Sequence, residues 1–301
     1  MKIVLTGITG FVGQNLMPML VRKCSDIEIL TLNVDVEEAE RLYPVSDYPQ
    51  CTHIRTTELD KLVEFNPEIT IHLATVTTAR NDTEIIKPML AANIEFGTLL
   101  LDALSKCSCM RLFVNTGSFA EYRLGPGNFE SAYLYTASKT AFRAFVDYYS
   151  KLAGFRYITV VPYSVYGGRM TVKRIMDYIR ESMDNNNPVD MTAGEQVLDF
   201  IHVDDIAGFF TYVVNYRQKF YTLEKNGEEF HLGTGRGTSI REVAAMMEEI
   251  AGKRCNINWG GRPYRDRDTM YAVAPIAKNL LLIGWKAKIE IREGIGLMMK
   301  E

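Results

Sequence analysis

Tyr135 and Lys139 stand four residues apart in Tyr135-Thr136-Ala137-Ser138-Lys139, inside an amphipathic run that reads as helix. That spacing puts both side chains on one helix face, roughly 5–6 Å apart at Cβ. A phenol titrates near ~10 and is a poor acid–base group at neutral pH. A fixed ammonium beside it stabilises the phenolate and lets it exchange a proton with a substrate oxygen. Two hydroxyls, Thr116 and Ser118, follow the apolar run that begins at Leu112 and are candidates to bind the reacting oxygen. The same pair also occurs on ordinary helix surfaces. The surrounding elements decide its meaning.

The first dozen residues are the most informative of these. An apolar, β-branched run, Lys2 to Thr6, stops at Gly7, and Gly10 and Gly13 follow before a helix-period pattern of Phe11, Leu16, Leu20 and Val21. A buried strand turns there into a helix whose N-terminus carries no bulky side chain, and its free N–H groups and positive dipole suit a pyrophosphate. Gly7 makes the turn, Gly10 lets phosphates approach, and Gly13 allows close helix–strand packing, with Phe11 and Val12 completing the cradle. A dinucleotide is the implied cofactor. An oxidised nicotinamide would lower the Tyr135 phenol further, and Lys139 can also hold its ribose.

The strand Ile27–Leu32 ends at Asn33, where such folds place a residue that holds the adenosine ribose. Asn33 would not repel a 2′-phosphate. Yet Asp35, Glu37 and Glu38 crowd the loop and no arginine stands nearby in sequence, so both NAD and NADP remain open. A weaker strand lies near Cys51–Arg55, and a buried one over 68–74 ends in Ala74 and Thr75, small enough for the cofactor to cross. One long helical pattern over 83–106 carries Asn93, and a strand over 157–162 ends in Pro162, just before Val165. Ala74, Thr75, Asn93, Pro162 and Val165 are expected to line the cofactor site. Strand–helix alternation points to an α/β, Rossmann-like, doubly wound parallel sheet with a smaller, discontinuous α/β substrate-binding lobe. Residues 1–165, with parts of 190–235, are assigned to the dinucleotide-binding domain, and 166–190 with 236–301 mainly to the lobe.

Composition narrows the partners. Among 301 residues, 34 basic and 37 acidic ones give a formal charge of −3, which offers no reason to propose nucleic acid or an anionic membrane. Five scattered cysteines form neither a disulfide framework nor zinc-finger spacing, and no metal is expected. No apolar run approaches the ~20 residues of a membrane span, and the N-terminus is already a strand, so a cytoplasmic setting is expected. His202 and His231 sit in apolar, strand-like contexts and read as packing residues.

Taken in order, Gly7/Gly10/Gly13, His72-Leu73-Ala74, Asn93, Thr116, Tyr135/Lys139, Val165-Tyr166-Gly167 and Asp199-Phe200-Ile201-His202-Val203-Asp204-Asp205 resemble the extended short-chain dehydrogenase/reductase superfamily. Phe230-His231-Leu232-Gly233 and Ile283-Gly284-Trp285-Lys286 extend the resemblance over nearly the whole chain. Within it, Asn115-Thr116-x-Ser118-Phe119 and the stretch Thr192–Ile201 are similar to nucleotide-sugar 4-ketoreductases of the CDP-abequose synthase type. The resemblance implies an NAD(P)-dependent reductase of a nucleotide-linked 4-keto-6-deoxyhexose, with a 4-epimerase as first alternative and a non-catalytic NAD(P)-sensing protein as second. Thr116, with Ser118, would orient the carbonyl, Tyr135 would protonate it and Lys139 would tune Tyr135. Family dehydratases carry an Asp-Glu pair after the catalytic threonine, where Gly117-Ser118 stands. Many members place an arginine before the Asp-Phe motif to bind the substrate diphosphate; Leu198 stands there, so other cations must serve. Arg169, Lys173, Arg262 and Arg265 are the expected ones, with Arg174 and Arg267 beside them. Phe142, Phe145, Tyr148 and Tyr149 on the Tyr135 helix resemble a dimerising face, so a homodimer is expected.

Overall fold

The computed structural model describes residues 1–169 and 172–300. In chain order the first half runs β1 (Lys2–Thr6), α1 (Phe11–Lys23), β2 (Glu28–Asn33), α2 (Val36–Leu42), β3 (Cys51–Arg55), α3 (Leu59–Phe65), β4 (Ile69–His72), α4 (Thr83–Leu90), α5 (Phe96–Ser105), β5 (Leu112–Thr116) and α6 (Leu134–Ala153). The second half runs β6 (Arg156–Pro162), β7 (Ser164–Tyr166), α7 (Ile175–Ser182), β8 (Val189–Met191), β9 (Val197–Leu198), β10 (Phe200–His202), α8 (Val203–Asn215), α9 (Arg217–Tyr221) and β11 (Glu228–Leu232). It closes with β12 (Thr238–Ser239), α10 (Ile240–Ala251), β13 (Ile257–Trp259), β14 (Tyr271–Ala272), α11 (Ala277–Ile283) and α12 (Ile291–Met298).

Seven strands form one parallel sheet in the order β11-β6-β5-β4-β1-β2-β3. The order reverses between β1 and β4, which opens a crevice at the carboxyl ends of the strands, where ligands bind in such sheets. The inner strands are mostly apolar runs because helices cover both faces, whereas β3 at the sheet edge is partly exposed. Ile3, Leu5, Leu112 and Val114 face the α1–α8 side, whereas Val4 and Phe113 face the α3–α5–α6 side. A separate core of Tyr166, Met176, Ile179, Met191, Phe200, Val243, Met247 and Ile295 packs α7, α10 and α12 together. Four shorter strands, β8 with β13 and β9 with β14, brace that region.

The single helix expected over 83–106 is α4 and α5 joined by a π turn, Ala91–Glu95, that keeps the axis running. One extra residue per turn rotates Asn93 inward, and such bulges recur at functional sites. His202 caps α8, its Nδ1 accepting from Asp204 N at 3.2 Å, and His231 is buried, so both are packing residues as expected. No described helix is long and apolar enough to cross a membrane.

Candidate active site

Tyr135 lies in the first turn of α6, which Thr136 fixes by accepting from Tyr133 N and donating to Tyr133 O, at 3.1 and 2.8 Å. Its phenol reaches across to Ser118 Oγ at 2.8 Å. Lys139, one turn on, is only 4 % exposed. Burial lowers the Lys139 pKa to about 8, against the opposing pull of Glu121. Burial raises the Tyr135 pKa, with the Ser118 hydrogen bond working the other way. Desolvation outweighs that bond, so the phenol lies above its ordinary range.

The structure also decides between the two hydroxyls. Ser118, not Thr116, meets the phenol; Thr116 Oγ1 is buried with no partner among the described residues. The reason is a 3₁₀ turn over Phe119–Glu121 that begins at Ser118 and lifts it toward α6. Counting from Ser118, the positions of the dehydratase acid pair fall on Phe119-Ala120 rather than Gly117-Ser118. Neither residue ionises, so the argument survives the shift of register.

At the glycine turn the space is real. Gly7 has φ 74°, and a Cβ there would sit 2.6 Å from Ala74 N. A Cβ on Gly13 would lie 2.2 Å from Gly7 O, whereas one on Gly10 meets only Gly7 O, at 3.3 Å. Gly10 is the α1 N-cap and no side chain closes that end, which leaves the N–H groups of Phe11 and Val12 for an anion. These features fit a dinucleotide pyrophosphate. Across the crevice, Thr6 Oγ1 accepts from Ala74 N and shares a hydrogen bond with His72 Nδ1, at 3.1 and 2.8 Å. Pro162 ends β6, and Val165, 8 % exposed, lies in β7 against Ile201.

Asn93 holds the loop after β4 through its amide. Its Oδ1 accepts from Thr75 Oγ1 and Val76 N, and its Nδ2 donates to Val76 O and Ser138 Oγ. All four hydrogen-bonding places of the amide are used. Asn93, with Thr75, braces the loop after β4 against α6 beside Lys139, and its own amide is fully used in doing so.

At the other end, Asn33 is 5 % exposed, and its Nδ2 turns back to Thr31 Oγ1 at 2.8 Å. Sheet pairing sets Arg55, exposed at the end of β3, directly beside Asn33. An arginine does stand by; the sequence separation hid it.

The expected substrate cations divide. Lys173 is paired with Glu181 at 2.7 Å and exposed, while Arg169 is anchored by its backbone to Asn15 on α1. Arg262 is exposed beside β8, its N–H bound to Met191 O. Arg265 lies 5.9 Å from the ring of Tyr133, which stacks on Tyr135 at 6.3 Å and donates to Asp268 at 3.0 Å. Arg174 sits 4.2 Å over the Phe11 ring and close enough to Tyr135 for each to shift the other's titration. Its Nε is buried without a partner among the described residues. Arg174 is thus the arginine beside the Tyr135 phenol, and Arg265 stands by the neighbouring Tyr133 ring.

Known proteins are similar to this chain in sequence and in fold. CDP-abequose synthase of Yersinia pseudotuberculosis is 27% identical over 273 residues, covering 90% of this chain and 91% of that one. A putative UDP-glucose 4-epimerase of Methanocaldococcus jannaschii is 25% identical, covering 97% and 95%. The UDP-glucuronic acid 4-epimerase of Bacillus cereus, solved with UDP-glucuronic acid and NAD, superposes with a TM-score of 0.84 at 20% identity over 100% of this chain and 98% of its own. The description of the NAD dependent epimerase/dehydratase family matches residues 3–225, and the chain belongs to that family.

Proposed function

We propose that the chain is a nucleotide-sugar 4-ketoreductase, taking an NDP-4-keto-6-deoxyhexose to the 4-hydroxy sugar with one reduced dinucleotide. The observation that carries the reading is the Tyr135 phenol hydrogen-bonded to Ser118 Oγ, with no carboxylate in the two positions after Ser118. Dehydration across C5–C6 needs such an acid–base pair. Ketone reduction needs only a proton donor and a hydride.

When bound, the nicotinamide supplies the hydride to the carbonyl carbon. Tyr135 gives its proton to the carbonyl oxygen, so the ketone gains hydride and proton and leaves as an alcohol. Ser118 Oγ holds that oxygen beside the phenol, and the Lys139 ammonium stabilises the phenolate left behind. Gly7, Gly10, Phe11, Val12, Gly13 and Ala74 would cradle the dinucleotide, with Asn33 and Arg55 at its adenosine ribose, Lys139 at its nicotinamide ribose, and Pro162 and Val165 along one wall. Arg174 and Arg265 would hold the substrate diphosphate, and the lobe of 166–190 and 236–301 its nucleotide. A homodimer through the exposed Phe145, Tyr148 and Leu152 face of α6 completes the reading.

Mixing the enzyme with reduced cofactor and an NDP-4-keto-6-deoxyhexose tests the proposal. Oxidation of one cofactor per sugar is expected; in a parallel incubation with an NDP-hexose, conversion to its C4 epimer with no net oxidation would favour the 4-epimerase reading, which uses the same residues. Arg55 makes NADPH the expected donor. Arg55→Ala should raise the KM for NADPH about tenfold, the worth of one charge-assisted hydrogen bond, and leave that for NADH unchanged. Equal effects on both would remove Arg55 from the 2′-phosphate.

A further inference from the structure

Beneath Ser118 lies an ion-pair network that the chemistry above does not use. Glu121 is 0 % exposed, and its carboxylate accepts from Ser118 N at 2.8 Å and from Thr140 Oγ1 at 3.0 Å. Arg143 grips it with two parallel bonds, Nε at 2.9 Å and Nη2 at 3.0 Å, and reaches on to Glu229. Tyr135, Lys139 and Arg143 follow at four-residue steps on α6, so the arginine continues the catalytic face into the interior. Gly117 makes the room: a Cβ there would lie 2.5 Å from Glu121 Oε1 and 2.8 Å from Arg143 Nη2. The Ser118–Glu121 turn is a capping box, with Ser118 Oγ also accepting from Ala120 N at 3.3 Å. One carboxylate therefore fixes the serine that holds the phenol, on a scaffold anchored to the helix that carries phenol and ammonium.

Burying a bidentate carboxylate–guanidinium pair is costly, and such a pair adds little net stability over an apolar one. Its geometric specificity is its clearer contribution. We infer that Glu121, clamped by Arg143, is a positioning residue for the Ser118–Tyr135–Lys139 site, fixing the serine turn and supplying the negative charge that faces the lysine. This rests on the reductase reading but tests separately from it.

The charged and titratable groups around Lys139 are Tyr135 and Arg143 on its own helix, Glu121 on the serine turn and His72 on β4. Burial lowers the His72 pKa to about 3, so it is neutral near pH 7, and Glu121 is the one carboxylate of the set. Removing that negative charge makes the ammonium lose its proton at lower pH.

Glu121→Gln is therefore expected to reduce kcat roughly 10–100-fold, the cost of a displaced reacting group, with cofactor affinity unchanged. The alkaline limb of kcat, set by Lys139 near 8, should move to lower pH. Because the variant leaves Arg143 short of a partner, Glu121→Gln/Arg143→Gln is measured beside it. A folded Glu121→Gln variant with wild-type kcat and an unmoved alkaline limb would overturn the inference, as would wild-type kcat in a folded double variant. So would loss of the folded state in both, seen by circular dichroism, since the pair would then serve the fold alone. If the wild-type protein epimerises instead of reducing, the reductase reading fails while the same comparison still tests Glu121.

Discussion

Tyr135→Phe is expected to lower kcat by roughly 10²–10⁴, the usual worth of a positioned acid–base group. The substitution removes one oxygen and keeps the ring, so the stacking on Tyr133 at 6.3 Å is retained. Ser118 loses its partner at 2.8 Å but keeps the bond from Ala120 N, so the serine turn stands. Cofactor affinity and Tm should change little. The effect falls on kcat because the proton is transferred only in the transition state. Steady-state kinetics with a direct cofactor titration separates the two, and a fully active Tyr135→Phe enzyme would remove the phenol from the chemistry.

The glycine turn gives the second large effect, in stability. Gly13→Ala places a methyl 2.2 Å from Gly7 O and 2.5 Å from Ile8 Cα, both backbone atoms that cannot turn aside. Overpacking of this kind costs about 3 kcal/mol, which corresponds to a fall in Tm of about 6–12 °C. Gly10→Ala meets only one atom, at 3.3 Å, with φ at −80°, so the fold accommodates it. Its methyl would instead crowd a pyrophosphate seated on the open N-terminus of α1. Cofactor affinity should fall roughly tenfold or more, as for a lost charge-assisted hydrogen bond, with Tm nearly unchanged. Thermal unfolding without ligand and cofactor titration read the pair. Equal destabilisation by both substitutions would contradict the division of labour among the glycines.

Much of this was legible in the sequence because the sheet is buried on both faces. Lys2–Thr6 and Leu112–Thr116 are short, buried β-branched or aromatic runs, whereas the partly exposed edge strand Cys51–Arg55 carries a weaker signal. Tyr135 and Lys139 were legible because one helix carries both. What stayed hidden depends on contacts between distant segments. Arg55 comes beside Asn33 only through the pairing of β2 with β3. Lys173 is claimed by Glu181 along α7, and Asn93 by the loop after β4 and Ser138. The choice of Ser118 over Thr116 did have a local signal: Ser-x-x-Glu over 118–121 is a capping-box pattern, and it fixes which hydroxyl stands at the head of the turn.

The central claim is that Tyr135 and a bound reduced dinucleotide deliver proton and hydride to a sugar carbonyl, with the product released reduced. Turnover of an NDP-4-keto-6-deoxyhexose with cofactor deuterated at nicotinamide C4 tests it most directly. Using each cofactor stereoisomer in turn, one of the two should leave one deuterium per product at sugar C4, with an equal amount of cofactor oxidised. Unlabelled product from both stereoisomers, or cofactor that is recovered reduced while an NDP-hexose inverts at C4, would contradict it.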